Sequence, residues 1–78
     1  MAKVKYFGIL AENVDQAQEE VKVDSENLEE LVAQLKEKHS LEAYDFQIAV
    51  NRKIILDLSV FKVRDSDEIA FLPAFAGG

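Results

Sequence analysis

Apolar and polar residues alternate along this chain with two different periods, and the changes of period mark its elements. From Lys3 to Leu10, Val4, Tyr6, Phe7 and Ile9 are β-formers with Lys3 and Lys5 interleaved, which predicts a first strand. Beyond Lys5 both parities are apolar, so one face meets the core and some apolar surface is left on the other. Ala11 to Gln18 is polar and acidic and reads as a connection. Val21 and Val23 alternate with Glu20 and Lys22, a short second strand that completes a hairpin.

The period then changes. Leu28, Leu31, Val32 and Leu35 fall at i, i+3, i+4 and i+7, the single apolar stripe of a helix lying on a sheet. Asp24 or Ser25 supplies the expected cap, accepting from an otherwise orphaned backbone N–H. Glu26, Glu29 and Glu30 put negative charge at the positive end of the helix dipole, and Lys36, Lys38 and His39 put positive charge at the other. Ser40 to Asp45 is a connection. Ile48-Ala49-Val50 reads as a third strand, Asn51-Arg52-Lys53 as a turn and Ile54-Ile55-Leu56 as a short fourth strand. Phe61 and Val63 tuck inward from an irregular segment. Asp65-Ser66-Asp67 is a tight turn. Glu68 to Leu72 is the last strand, with Ile69 and Phe71 on one face and Ala70 and Leu72 on the other. Pro73, the single proline, is expected to end the regular pairing.

The order ββαβ(β)β describes an α+β domain with one main helix packed across a mixed sheet. It is the order of β-grasp folds, and order alone also admits a ferredoxin-like variant. Seventy-eight residues suffice for one domain and leave no spare core for a deep active site. The expected division is a domain over 1–73 and a tail over 74–78. An apolar fraction of 49% argues against disorder. The N-terminal residues lack a signal-peptide pattern and no stretch approaches membrane-spanning length, so the expected setting is the cytoplasm. A net charge of −6 repels nucleic acid and anionic membranes and suits a basic protein partner.

Conventional catalytic groups are nearly absent. There is no cysteine, which removes disulfides and thiolate chemistry. His39, the single histidine, reads as a solvent-exposed partner of the helix dipole. Glu19-Glu20 and Glu29-Glu30 read as solvated faces. Asp65 and Asp67 lack the ligand pattern of a calcium loop, and Gly8 stands alone inside a strand rather than in a phosphate-binding loop.

The C-terminal end remains. Two of the three glycines are Gly77 and Gly78. At average glycine usage of about 7%, a chance Gly-Gly ending is on the order of one in two hundred. Pro73 and Phe75 are not the polar residues of a discarded end. The sequence runs from Met1 and stops after Gly78, so the Gly78 carboxylate is expected to be available without processing. Residues without Cβ allow a tail to thread a narrow channel and bring its carboxylate to a nucleotide α-phosphate. Pro73 limits the flexibility of the tail at its root. An adenylated carboxylate is an acyl electrophile that a sulfur donor converts to a thiocarboxylate.

The block from Asp65 to Gly78 resembles the ending of the molybdopterin synthase small-subunit family: a turn, an acidic residue, an apolar strand, a proline and terminal Gly-Gly. Val4 to Glu12 is similar to that family's first strand, and Ile48-Ala49-Val50-Asn51 to its third strand and turn entry. Two departures stand out. Leu72-Pro73-Ala74 has one proline where many members have two, and no arginine precedes Glu12. The resemblance implies a ubiquitin-like β-grasp fold and no tightly bound cofactor. It implies that an E1-like activating enzyme uses ATP to adenylate Gly78, with Gly77 as the second glycine of the motif, and that a sulfur donor makes the thiocarboxylate. The tail then enters the catalytic large subunit of a heterotetramer of two small and two large subunits and gives sulfur to cyclic pyranopterin monophosphate. On this reading the chain is a sulfur-carrying subunit rather than an enzyme. Phe75, Leu72, Pro73 and Phe7 are the expected partner contacts; Tyr6 and Ile9 are further candidates. The rival functions are a thiamine-pathway sulfur carrier, a ubiquitin-like modifier or tRNA-thiolation carrier, and a plain interaction module.

Overall fold

A computed structural model describes residues 1–23 and 27–74. The chain runs β1 (Ala2–Tyr6), α1 (Ile9–Glu12), β2 (Gln18–Val21), α2 (Leu28–Lys38), β3 (Phe46–Val50), β4 (Lys53–Ile54), a 3-10 turn (Leu58–Val60) and β5 (Glu68–Pro73). The strands form one mixed sheet in the order β2-β1-β5-β3-β4. β1 and β5 pair in parallel; the other pairings are antiparallel. Two strands from opposite ends of the chain therefore lie side by side at the centre, with α2 across one face. This is the expected β-grasp arrangement.

The core is the inner face of the sheet and the helix stripe. Val4, Tyr6, Ile48, Val50, Ile69 and Phe71 meet Leu28, Leu31, Val32 and Leu35, all buried. Phe71 lies at the aromatic centre, with the Tyr6 ring 5.0 Å and the Phe46 ring 5.1 Å away, centroid to centroid. Val63 is buried and Phe61 half-buried, as the pattern indicated.

The cap of α2 is Asn27 rather than Asp24 or Ser25, which lie with Glu26 outside the described residues. Asn27 Oδ1 accepts from the Glu30 N–H at 3.0 Å. The Phe61 carbonyl accepts from the Leu28 N–H, and Asn27 Nδ2 donates to the Ser59 carbonyl, so the helix start is tied to the segment before β5. At the other end Ser40 takes φ 57°. The Ser40 N–H donates to the Glu37 carbonyl and the Leu41 N–H to the Lys36 carbonyl, and the Leu41 side chain is fully buried. This is a Schellman motif closed by serine where glycine is usual.

Several boundaries differ from the pattern. β1 ends at Tyr6, because Gly8 at φ 60° turns the chain into the single turn of α1, whose Leu10 is fully buried. Gly8 is thus a turn residue and not a strand residue, and the connection after it carries a core element. β2 lies two residues earlier than the expected Glu20–Val23, with Val23 packed against the core beyond its end. β4 is only two residues long. Pairing continues through Pro73, opposite Phe46, at a position that needs no N–H from the proline, and the Ala74 N–H donates to the Asp45 carbonyl. Asn51 and Arg52, at φ 51° and 72°, make the tight β3–β4 turn. Asn51 also fastens β5: its Oδ1 accepts from the Glu68 N–H at 3.0 Å and its Nδ2 donates to Asp67 at 2.9 Å.

The largest correction concerns His39 and Glu19. His39 is not a solvent-exposed dipole partner, and Glu19 is not part of a solvated face; their side chains are 14% and 16% exposed. The Tyr6 hydroxyl donates to Glu19 Oε2 at 2.6 Å, His39 Nε2 lies 2.7 Å from the same oxygen, and Lys38 Nζ lies 3.2 Å from Oε1. A carboxylate only accepts, so His39 Nε2 carries the proton. The Tyr6 and His39 rings meet edge to face at 5.2 Å. One carboxylate thus pins β1, β2 and the end of α2 together. Burial, then the adjacent carboxylate, push the Tyr6 phenol well above the ordinary tyrosine range. Burial alone would raise Glu19, but the hydrogen bonds from Tyr6, His39 and Lys38 outweigh it and hold the carboxyl below its ordinary value.

Replacing Ser40 by glycine is expected to stabilise the fold by about 0.5–1 kcal/mol, because it relieves a left-handed residue while keeping both backbone bonds; chemical denaturation measures it. A folded-state pKa below the unfolded value stabilises in full at neutral pH. That stabilisation is lost as pH falls from the ordinary 4.5 through the lower folded value. Glu19→Gln should therefore cost about 1–3 kcal/mol at neutral pH. The gap from the parent should close in acid, as read by unfolding curves at stepped pH; a gap that stays constant across the acid range contradicts the staple.

Candidate functional site

With β1, β3 and β5 turning their bulky residues towards α2, the opposite face of the sheet has no covering layer among the described residues. Strand register places Gln18, Lys5, Ala70, Ala49 and Ile54 in one row across all five strands. The middle of that row is two alanines, and small side chains between larger ones leave a hollow of about 280 Å³. Phe7, Leu72 and Ile54 supply its apolar walls, and Lys5, Arg52 and Glu68 its charged rim. Phe7 is 44% and Ile54 45% exposed. Lys5 Nζ lies 3.4 Å from Glu68 Oε2, and Arg52 is projected from the β3–β4 turn. The rim is mixed in charge, in contrast with the acidic balance of the whole chain. A second hollow of about 210 Å³ shares Ile54 and continues round the β4 edge to Leu56, which is 92% exposed.

The expected partner contacts fall differently in the structure. Phe7 and Leu72 line the same hollow. Pro73, half-buried, follows Leu72 at the end of β5. Tyr6 is buried in the core and is no surface residue; Ile9 is exposed at the start of α1. Phe75, Gly77 and Gly78 lie outside the described residues. Sequence reasoning missed Ala49, Ala70, Ile54 and Arg52. Alternation in Ile48-Ala49-Val50 and Ile69-Ala70-Phe71 was visible, but only the register brings the two alanines together beside Ile54.

The polar side of the molecule is separate. Depressions beside Lys38 and His39 are lined by Glu12, Asn13, Asp15 and Ser40. Among the described residues no group of three or more His, Cys, Asp or Glu side chains is arranged to hold a metal ion.

The model of the ThiS family matches residues 4–78. The chain belongs to the ThiS family. This ThiS-family chain is 30% identical to a chain in the complex of subunits 1 and 2 of the molybdopterin-converting factor from Helicobacter pylori 26695, with a TM-score of 0.71 over 92% of this chain and 90% of that one. It is 25% identical to SAMP1 from Haloferax volcanii, with a TM-score of 0.79 over 99% of this chain and 98% of the other. A search of curated proteins found no match. The ThiS-family chain is thus a ubiquitin-like β-grasp protein of the sulfur-carrier type.

Proposed function

We propose that this protein is the small, sulfur-carrying subunit of a molybdopterin synthase. The observation that carries the reading is the likeness, over nearly the whole of both chains, to a chain solved in the complex of subunits 1 and 2 of a molybdopterin-converting factor. The Gly77-Gly78 ending agrees with it.

The proposed chemistry happens at Gly78. Its carboxylate attacks the α-phosphate of ATP in the active site of an E1-like activating enzyme and expels pyrophosphate. A sulfur donor's sulfide equivalent then adds to the acyl carbon and expels AMP, leaving a thiocarboxylate. Inside the large subunit the sulfur passes to cyclic pyranopterin monophosphate, and water restores the carboxylate. In this account the chain holds no cofactor of its own, and the ATP belongs to the activating enzyme. Residues 74–78 are the tail, Gly77 and Phe75 accompany it into the partner, and the cytoplasm is the proposed setting.

The outer sheet face is the proposed docking surface for the large subunit. Phe7, Leu72 and Ile54 surround a hollow suited to one apolar side chain, and Arg52 offers a donor to an acidic group beside it. Pro73 stands where this surface meets the tail.

A second reading, a thiamine-pathway sulfur carrier, shares the fold and the Gly-Gly ending. Reconstitution separates the two. Thiocarboxylated protein mixed with a molybdopterin synthase large subunit and cyclic pyranopterin monophosphate should yield the dithiolene product; sulfur delivery only to a thiazole synthase would overturn the assignment. Ala70→Glu fills the hollow with a charge on an already outward-facing position. It should keep the fold, by circular dichroism, and weaken large-subunit binding at least tenfold, by titration calorimetry; unchanged affinity rules out this face as the docking surface.

A further inference from the structure

We infer that Gly8 is a positioning residue for the C-terminal tail: its bare Cα is the seat on which the Pro73 ring rests, and that contact sets the direction in which the tail leaves the sheet. The inference rests on the proposed reading of the tail as the reacting end.

A Cβ built on Gly8 would stand 2.8 Å from Pro73 Cγ and 3.6 Å from Pro73 Cδ. The first distance is shorter than real Cβ contacts, so one side has to move. Gly8 is the side held in place. Before it, Tyr6 is buried and hydrogen-bonded within the staple, and the Phe7 N–H donates to the Phe71 carbonyl at 3.1 Å. After it, Leu10 is fully buried, and the Asn13 side chain reaches both the Ser40 carbonyl and the Tyr44 hydroxyl. Pro73 is the last residue of its strand, and beyond that point, among the described residues, the Ala74 N–H donates to the Asp45 carbonyl at 3.2 Å. A side chain at position 8 therefore displaces Pro73. The backbone at φ 60°, ψ −137° adds its own bias for glycine.

The outer-face hollow, which the proposal takes as the docking surface for the activating enzyme as well as for the large subunit, is lined by other residues than Gly8 and Pro73, so binding and aiming are separable. Displacing the tail root leaves the outer face as it is and misdirects the carboxylate, which lowers turnover rather than affinity. A misplacement of about 1 Å at a reacting centre can cost on the order of a hundredfold.

The test is the steady-state adenylation and thiocarboxylation of the full chain by an activating enzyme, with thermal melts of each variant alongside. Gly8→Ala should lower kcat roughly tenfold to a hundredfold with KM within about twofold. Pro73→Ala alone should lower kcat in the same way. In the double variant the position 8 effect should shrink to what the φ 60° backbone alone imposes on alanine, because no ring is left to displace. Full kcat in Gly8→Ala overturns the inference, as do a loss confined to KM and a Gly8→Ala loss that is undiminished in the double variant. If Gly8→Ala does not fold, Pro73→Ala decides, and wild-type kcat there overturns it. A wild-type chain that is never thiocarboxylated sinks the sulfur-carrier reading and this inference with it; a wild-type chain that is modified beside an unimpaired Gly8→Ala sinks only the inference.

Discussion

The parallel pairing of β1 with β5 joins the two ends of the sequence at the centre of the sheet, and the geometry of the rest follows from it. Val4 lies opposite Ile69 and Tyr6 opposite Phe71, so both strands turn their bulky residues to the same side. That side receives the stripe of α2. The other side receives Lys5, Ala70 and their neighbours and is uncovered among the described residues. Past the last paired residues, the Phe7 N–H still reaches the Phe71 carbonyl, which brings Gly8 against Pro73. A segment near the start of the chain thus lies against the last residue of β5.

The molecule divides its polar and apolar work between two regions. Near α2, Glu19 gathers Tyr6, His39 and Lys38 into a staple that is satisfied within the fold. Across the sheet, Phe7, Leu72 and Ile54 surround a hollow that no described residue fills. A ligand-binding or catalytic use of His39 would have to compete with a 2.7 Å contact to a carboxylate; the apolar walls of the sheet face have no hydrogen bond to give up when they are covered.

The parts of this arrangement legible from sequence were those set by local periodicity. Leu28, Leu31, Val32 and Leu35 repeat at helical spacing and are all buried. Ile69 and Phe71 alternate with Ala70 and Leu72 and take opposite faces. Where periodicity does not discriminate, longer-range contacts decide the structure. Phe7 to Leu10 is apolar on both parities, so only the positive φ of Gly8 ends the strand. Asn27 caps α2 because it also reaches Ser59, a contact 32 residues away. Glu19 and Glu20 are alike in sequence, and nothing local says that one faces His39 twenty residues on. The hollow needs the register of four strands at once. Gly77 and Gly78, in contrast, are informative through their identity alone, since the chemistry proposed for them asks for a bare terminus.

The central claim is that the reactive group of this protein is one terminal carboxylate, completed only inside other proteins. Intact-mass measurement after incubation with ATP, a competent activating enzyme and a sulfide source tests it most directly. The account predicts the mass change for one oxygen replaced by sulfur, located to Gly78 by fragmentation and abolished when Gly78 is deleted from a chain that still folds. An unchanged mass beside a positive control, or sulfur found on any other residue, would contradict it.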